Sequence, residues 1–420
     1  MKELIEFLEK SFTCYHAIQN LEEKLVAGKF LKLEEDKKWQ LEAGKNYYVI
    51  RNASSLIAFK VPNKDVTGFH IVASHSDSPS YKLKPKPTIK DGRTSYIKLN
   101  TEGYGGMIDY SWLDRPLGIA GRVFIDEGLT IQEKLVNFNE TIVIPSLAIH
   151  LNRAQENKFN PQIDMLPLLG SNDKSFEDVL GQYVPIDKVL STELFLYNKE
   201  KAELVGANKE YLLAPRLDDL ECAYLSIDSL MKADNQNIAM SVILNNEEVG
   251  SGSANAANSS FVFDVIKRIA KSLALDYQQL LANSLLVSAD NAHAEHPNHQ
   301  EKADATHVVL MNQGIVIKHQ AALRYTTDGL SAAIFKKMCN DIDVKWQDYT
   351  NRSDQRGGST LGAILQSHVS IPCVDLGLPQ LAMHSTMELT GVKDIDYMRK
   401  ALQKYYEMKL KITGNLITIQ

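Results

Sequence analysis

The chain has 420 residues, 44% of them hydrophobic and 23% charged, a composition that excludes fibrous, low-complexity and largely disordered proteins. The 52 acidic residues against 46 basic ones leave a net charge of −6, so no basic excess advertises nucleic acid or an anionic membrane as a partner. A single core stops growing near roughly 250–300 residues, so two or three domains are expected.

In chain order, the opening MKELIEFLEK lacks a signal peptide's apolar core and carries acids that a transit peptide avoids. No apolar run of about 18 residues follows anywhere, so no membrane span is expected. Cys14, Cys222, Cys339 and Cys373 lie far apart without a CxxC pair, which reads as reduced thiols in a cytoplasmic protein. Helical spacing covers Glu3–Glu9, and Ala17, Ile18, Leu21 and Leu25 recur at helical period before the stop signal Gly28. Short β-type runs follow at Tyr47–Ile50, Leu56–Val61 and Gly68–Ala73. From Tyr81 to about Asn208 prolines, glycines and short β-type pieces such as Gly121–Ile125 and Glu140–Ile144 predominate, with no long amphipathic helix.

Beyond Arg216 helix and strand alternate. Helices are expected over Leu217–Ala233, Phe261–Leu273, Leu330–Asn340, Thr360–Gln366 and Val392–Leu410. Strands are expected at Ile238–Leu244, Ser284–Ser288, Ile315–Ile317, Val344–Tyr349 and Cys373–Leu376. This is the pattern of an α/β protein whose mostly parallel twisted sheet is covered by helices on both faces, a three-layer αβα arrangement. The expected division is one α/β domain from residues 1–85 and 212–420, interrupted by a β-rich domain over 86–211.

Ligands of such sheets gather beyond the carboxyl ends of the strands. Four predicted strand ends carry acids or histidines: Ser74-His75-Ser76-Asp77, Asn245-Asn246-Glu247-Glu248, Ala289-Asp290-Asn291 and the loop Met383-His384-Ser385. Arg216-Leu217-Asp218-Asp219 opens a predicted helix. Singly, each has a plain explanation: a helix N-cap for Asp218 or Asp219, a solvated pair for Glu247-Glu248, a loop histidine for His75 or His384. Together at one rim they make an imidazole–carboxylate metal site suited to zinc, cobalt or manganese. In His75-x-Asp77 the carboxylate is spaced to orient the imidazole. In Glu247-Glu248 the side chains diverge, so one can bind metal while the other serves as a general base.

The ordered blocks SHSDSPSYKLKP, RLDDL, NNEEVGS, SADNAHAEHPN, GGSTLG and LAMHSTMEL, with IPSLAIHLNR in the β-rich segment, closely resemble the aspartyl aminopeptidase family of dinuclear metallopeptidases. The resemblance implies two divalent metal ions per subunit. Asp218 would bridge them, His75 and Asp290 would complete one site, and Glu248 and His384 the other. It further implies Glu247 as general base, Asp77 as the group orienting His75, and release of N-terminal residues from peptides. The β-rich segment would be a dimerisation domain whose His150 contacts substrate in a neighbouring subunit, with dimers assembling into a tetrahedral dodecamer. The family name implies N-terminal Asp or Glu, so a cation is expected in the first pocket, with Lys318 and Arg324 as candidates. Gly357-Gly358-Ser359-Thr360 reads as a close-packed loop lining that pocket, since a following Lys and the P-loop pattern are missing. His293, His296 and His299 read as structural or supporting residues. NNEEVGS and LDD (for the usual LDN) depart from the family pattern without touching an implied ligand. The alternatives are neutral or basic N-terminal preference, a related amidohydrolase or deacylase, or a non-catalytic shell.

Overall fold

The computed structural model describes residues 1–90, 92–152, 158–171 and 174–419. Its centre is a nine-stranded sheet in the order Leu31–Lys32, Asn46–Arg51, Ser55–Lys60, Ile238–Leu244, Phe69–His75, Leu285–Ala289, Cys373–Gly377, Ile315–His319 and Trp346–Thr350. The Ile238, Phe69, Leu285 and Cys373 strands run parallel at the middle. Antiparallel pairings with Ser55–Lys60 and Ile315–His319 flank them, so the sheet is mixed.

The central strands have no polar face because both faces are covered. In Ile238–Leu244, Ala239 and Ile243 point into one core and Ile238, Met240, Val242 and Leu244 into the other, the period-two alternation of a strand between two helical layers. Helices Lys2–Lys10, Cys14–Ala27, Leu217–Lys232, Gly329–Asp341 and Val392–Glu407 close the first face through Leu4, Ile18, Leu225, Phe335 and Leu402. Helices Phe261–Ser272 and Leu361–Val369 close the second through Phe261, Ile266 and Leu365. All four cysteines are buried and unpaired.

A second, antiparallel sheet of six strands has the order Ile131–Asn137, Leu117–Asp126, Val189–Asn198, Ser80–Lys90, Tyr96–Tyr104 and Leu168–Ser171. It has its own core, including Tyr81, Leu99, Ile119, Val123 and Leu194. It spans 80–198, so its first strand runs through the expected 85/86 break, with a register shift between Leu83 and Thr88 where Pro85 and Pro87 cannot donate to a ladder. At the other end, Glu203–Val205 and Tyr211–Ala214 join a five-stranded sheet with Ala292–His293, Pro379–Leu381 and Glu388–Gly391.

Two expected elements differ. Glu140–Ile144 is no strand: Ile142, Val143 and Ile144 bridge to Leu117, Leu168 and Leu113 on separate segments, so no continuous ladder forms. The last helix stops at Glu407, short of Leu410, because a hairpin, Leu410–Thr413 with Leu416–Ile419, turns at Gly414 in the left-handed region. Among the described residues no helix is long and apolar enough to cross a membrane.

Candidate metal centre

Parallel central strands present their carboxyl ends at one rim, and the candidate residues sit there. His75 is the last residue of Phe69–His75, and Asp290 directly follows Leu285–Ala289. After Ile238–Leu244 the chain turns through Asn246 (φ 62°) into a single 3-10 turn, Glu247–Val249, and leaves through Gly250 (φ 92°). His384 also adopts positive φ (67°) in the turn after Pro379–Leu381. Such conformations are costly for non-glycine residues and concentrate at functional loops. The helix Leu217–Lys232 starts irregularly: Arg216 is left-handed (φ 58°) and Asp218 and Asp219 are non-helical. Asp218 is therefore not an N-cap; its carboxylate turns toward the rim.

Asp218 lies between two histidines. Its Oδ1 is 3.4 Å from His75 Nε2 and its Oδ2 is 3.4 Å from His384 Nε2. His75 Nε2 is also 3.9 Å from Asp290 Oδ1, and His384 Nε2 is 3.4 Å from Glu248 Oε2. One ligand atom from each of His75, Asp218 and Asp290 falls within 4.8 Å of the others, and the same holds for Asp218, Glu248 and His384 and for His75, Glu247 and Glu248. Asp218 thus belongs to two triads.

The donor set fits divalent metal. Asp218 Oδ1 and Glu248 Oε1 are buried without a hydrogen-bond partner, a costly arrangement that a cation would relieve. Burial and the neighbouring carboxylates push Glu247 up to about 7, and burial also raises Glu248 and Asp290. Burial opposes protonation of His384, but Asp218 and Glu248 lift it to about 10. Burial raises Asp218, but His384 and His75 on either side of its carboxylate outweigh that and hold it well below the usual carboxylate range. Either metal triad would supply histidine nitrogen and carboxylate oxygen to zinc, cobalt or manganese.

A supporting layer fixes these groups. His75 Nδ1 meets the backbone carbonyl of Asp77 at 3.0 Å, and the Asp77 carboxylate at 3.5 Å. That carboxylate also accepts the backbone N–H groups of Glu247 and Glu248 (3.2 Å each) and the hydroxyl of Tyr104 (2.7 Å), so it orients the paired glutamates together with the histidine. Glu388, which the sequence reading passed over, accepts the backbone N–H of His384 at 2.7 Å and of Asp218 at 3.0 Å. Asp219 accepts the backbone N–H of His75 at 3.0 Å. The Gly106 carbonyl, from the six-stranded sheet's loop, contacts His384 Nδ1. Only the adjacency of Asp219 to Asp218 and of Glu388 to the His384 block hinted at these roles.

A cavity of about 210 Å³ opens on the centre, with Lys318, His293, Tyr325 and Gly358-Ser359-Thr360 in its walls. Lys318 is 2% exposed, and its ammonium donates to the carbonyls of Asp290 (2.9 Å) and Asn291 (3.2 Å). Arg324 is half-buried and outside that lining. His150 is exposed, beside the equally exposed Leu147, Ile149 and Leu151, away from this chain's own cavity. Arg153, the last residue of IPSLAIHLNR, lies outside the described residues. His296 and His299 line a neighbouring cavity that shares His293 and Met383 with the first.

A family model described as Aminopeptidase I zinc metalloprotease (M18) matches residues 7–406. The chain is 41% identical over 426 residues to a probable M18 family aminopeptidase 2 of Clostridium novyi (strain NT), covering 97% of this chain and 98% of that one. It is similar to a chain in the cryo-EM structure of the Ape4 and Nbr1 complex, with 32% identity, a TM-score of 0.90 and coverage of 96% of this chain and 85% of the other. It is also similar to the mApe1 dodecamer of S. cerevisiae, with 25% identity, a TM-score of 0.84 and coverage of 96% and 95%.

Proposed function

The chain belongs to the M18 family of zinc metallo-aminopeptidases, and from that premise we propose that it releases N-terminal residues, acidic ones by preference, using two divalent ions. His75, Asp218 and Asp290 would hold one ion, and Asp218, Glu248 and His384 the other. The observation that carries this reading is Asp218, whose two oxygens face two different histidines at 3.4 Å each. Zinc fits the donor set, as do cobalt and manganese. When bound, such a pair supplies Lewis acidity toward a carbonyl and lowers the pKa of water.

The chain's own residues do the rest. Glu247, within ligand distance of His75 and Glu248, takes the proton of the attacking water and returns it to the leaving amine. Asp77 fixes His75 and the backbone of Glu247 and Glu248 at once, so base and ligands keep their spacing. Lys318 gives the cavity a buried positive charge that favours an acidic side chain, and it rather than Arg324 carries the acidic preference because Arg324 is off the lining. The segment between strands Ile131–Asn137 and Leu168–Ser171, with its exposed Leu147, Ile149 and Leu151, fits an intersubunit surface. Through it His150 would reach a neighbour's cavity in a cytoplasmic dodecamer of tetrahedral form, built from dimers.

The test is hydrolysis of Asp-, Glu-, Leu- and Lys-chromogenic amides by metal-reconstituted protein, with and without a chelator. Chelator-sensitive cleavage favouring Asp or Glu is the expected result. Preference for Leu or Lys would overturn the acidic specificity, and cleavage of N-acetylated but not free-amine substrates would overturn the aminopeptidase reading in favour of a deacylase.

A further inference from the structure

Two irregular segments contribute to the walls of the cavity at the metal centre: residues 320–328, which carry Tyr325, and residues 351–360, which end in Gly358-Ser359-Thr360. Both converge on one carboxylate. Asp375, in the strand Cys373–Gly377, is fully buried. Its Oδ2 accepts the backbone N–H of Thr326 and, at 2.6 Å, the Thr326 hydroxyl. Its Oδ1 accepts the hydroxyl of Thr360 at 2.5 Å, and its backbone N–H donates to the Thr327 hydroxyl at 2.9 Å. Thr360 stands at the N-cap of the helix Leu361–Val369, where a threonine hydroxyl ordinarily accepts from the first N–H groups of the helix. Here it donates to Asp375 instead, giving up a local cap for a contact between segments. Ser288, paired with Asp375 on the neighbouring strand, donates to the same Thr360 oxygen at 3.3 Å.

The anchor adjoins Lys318. Ile317 and Leu376 are paired antiparallel, so Lys318 and Asp375 come next on adjacent strands. Burial disfavours the Lys318 ammonium, but Asp290, Tyr325 and Asp375 outweigh it. That ammonium lies 5.2 Å from the centre of the Tyr325 ring. The Tyr325 hydroxyl would in turn lie 3.9 Å from a Cβ on Gly358, so the two wall segments meet.

We propose that Asp375 is a positioning residue for the pocket that receives the substrate's N-terminal side chain. By holding Thr326 and Thr360 it sets Tyr325 and Gly358-Ser359-Thr360 around Lys318, and so governs affinity for that side chain rather than the rate of hydrolysis. This rests on the reading of the Lys318 cavity as the first pocket.

The test is steady-state kinetics on the full-length, metal-loaded protein, with whichever chromogenic amide the wild type cleaves best. Asp375→Ala removes the acceptor shared by both segments and should raise KM several-fold, with kcat and metal content unchanged. KM does not depend on the folded fraction, so partial destabilisation cannot imitate this result. Thr360→Val keeps the shape and loses only the hydroxyl; it should shift KM the same way, and it carries the test if Asp375→Ala does not fold. Asp375→Asn can still accept from Thr326 and donate to the Thr360 oxygen, so its KM should stay close to that of the wild type. Wild-type KM in Asp375→Ala or Thr360→Val, or a fall in kcat with KM held, overturns the proposal. So does an Asp375→Asn KM as high as that of Asp375→Ala, because the charge beside Lys318 and not the anchoring would then be responsible. A wild-type preference for Leu or Lys sinks the acidic reading alone, since the comparison of variants is made on the preferred substrate.

Discussion

Glu247 and Glu388 make the sharpest contrast between neighbours of the metal ligands. Glu247→Gln keeps shape and burial but removes the proton acceptor, so turnover should fall by roughly 10²–10⁴-fold with metal content unchanged, as measured by elemental analysis alongside kinetics. Glu388→Gln should act in the opposite way. A carboxylate offers one oxygen to the N–H of His384 and the other to that of Asp218, whereas an amide offers only one. Loss of that support should weaken metal retention by roughly 10–100-fold, read by competition with a chelator. Away from the site, His70 is fully buried with both ring nitrogens unpartnered, and burial lowers it from 6.5 to about 4. The folded state therefore prefers neutral imidazole, so its contribution is complete above pH 6.5 and is lost as pH falls through 4. Between those limits the wild type should lose roughly 3 kcal/mol that His70→Leu does not, visible as a smaller shift in melting temperature between neutral and acidic buffer.

Gly105 shows what one loop contributes at the scale of elements. The strand Tyr96–Tyr104 delivers Tyr104 to Asp77 and Gly106 to His384, and Gly105 between them has φ +78°. A Cβ on Gly105 would sit 3.1 Å from the Glu248 Cβ. Gly105→Ala should cost about 1–2 kcal/mol for the left-handed backbone, and it should reduce activity further by displacing Glu248, seen as a drop in kcat beyond the change in melting temperature. The strand Ile238–Leu244 was readable to the residue because its apolar run is bounded by polar residues at both ends. Glu140–Ile144 was not, because β propensity records a residue's fit to a pleated surface and says nothing of whether a partner strand runs alongside.

Over the whole molecule, the exposed side chains Leu147, Ile149 and Leu151, between 57% and 75% accessible, lie within three residues of His150 in the inserted segment. Apolar side chains grouped in this way mark interaction surfaces. Leu151→Asp should shift the protein to smaller species in sedimentation velocity and lower activity with it, if His150 completes a neighbour's site. Unchanged assembly would remove this surface from the oligomer.

The sequence by itself determined the family, the alternation of helix and strand, and the histidines and acids offered at one rim, because each is written locally: a periodicity, or a histidine or acid at the end of an apolar run. Only the tertiary structure decided which oxygen of Asp218 faces which histidine, that Glu388 and Asp219 hold the backbones of His384, Asp218 and His75, and that Lys318 is tied to the carbonyls of Asp290 and Asn291. Those facts depend on side chains from segments up to about 300 residues apart meeting in a low-dielectric interior, where direction and burial, not residue type, set what each group can do.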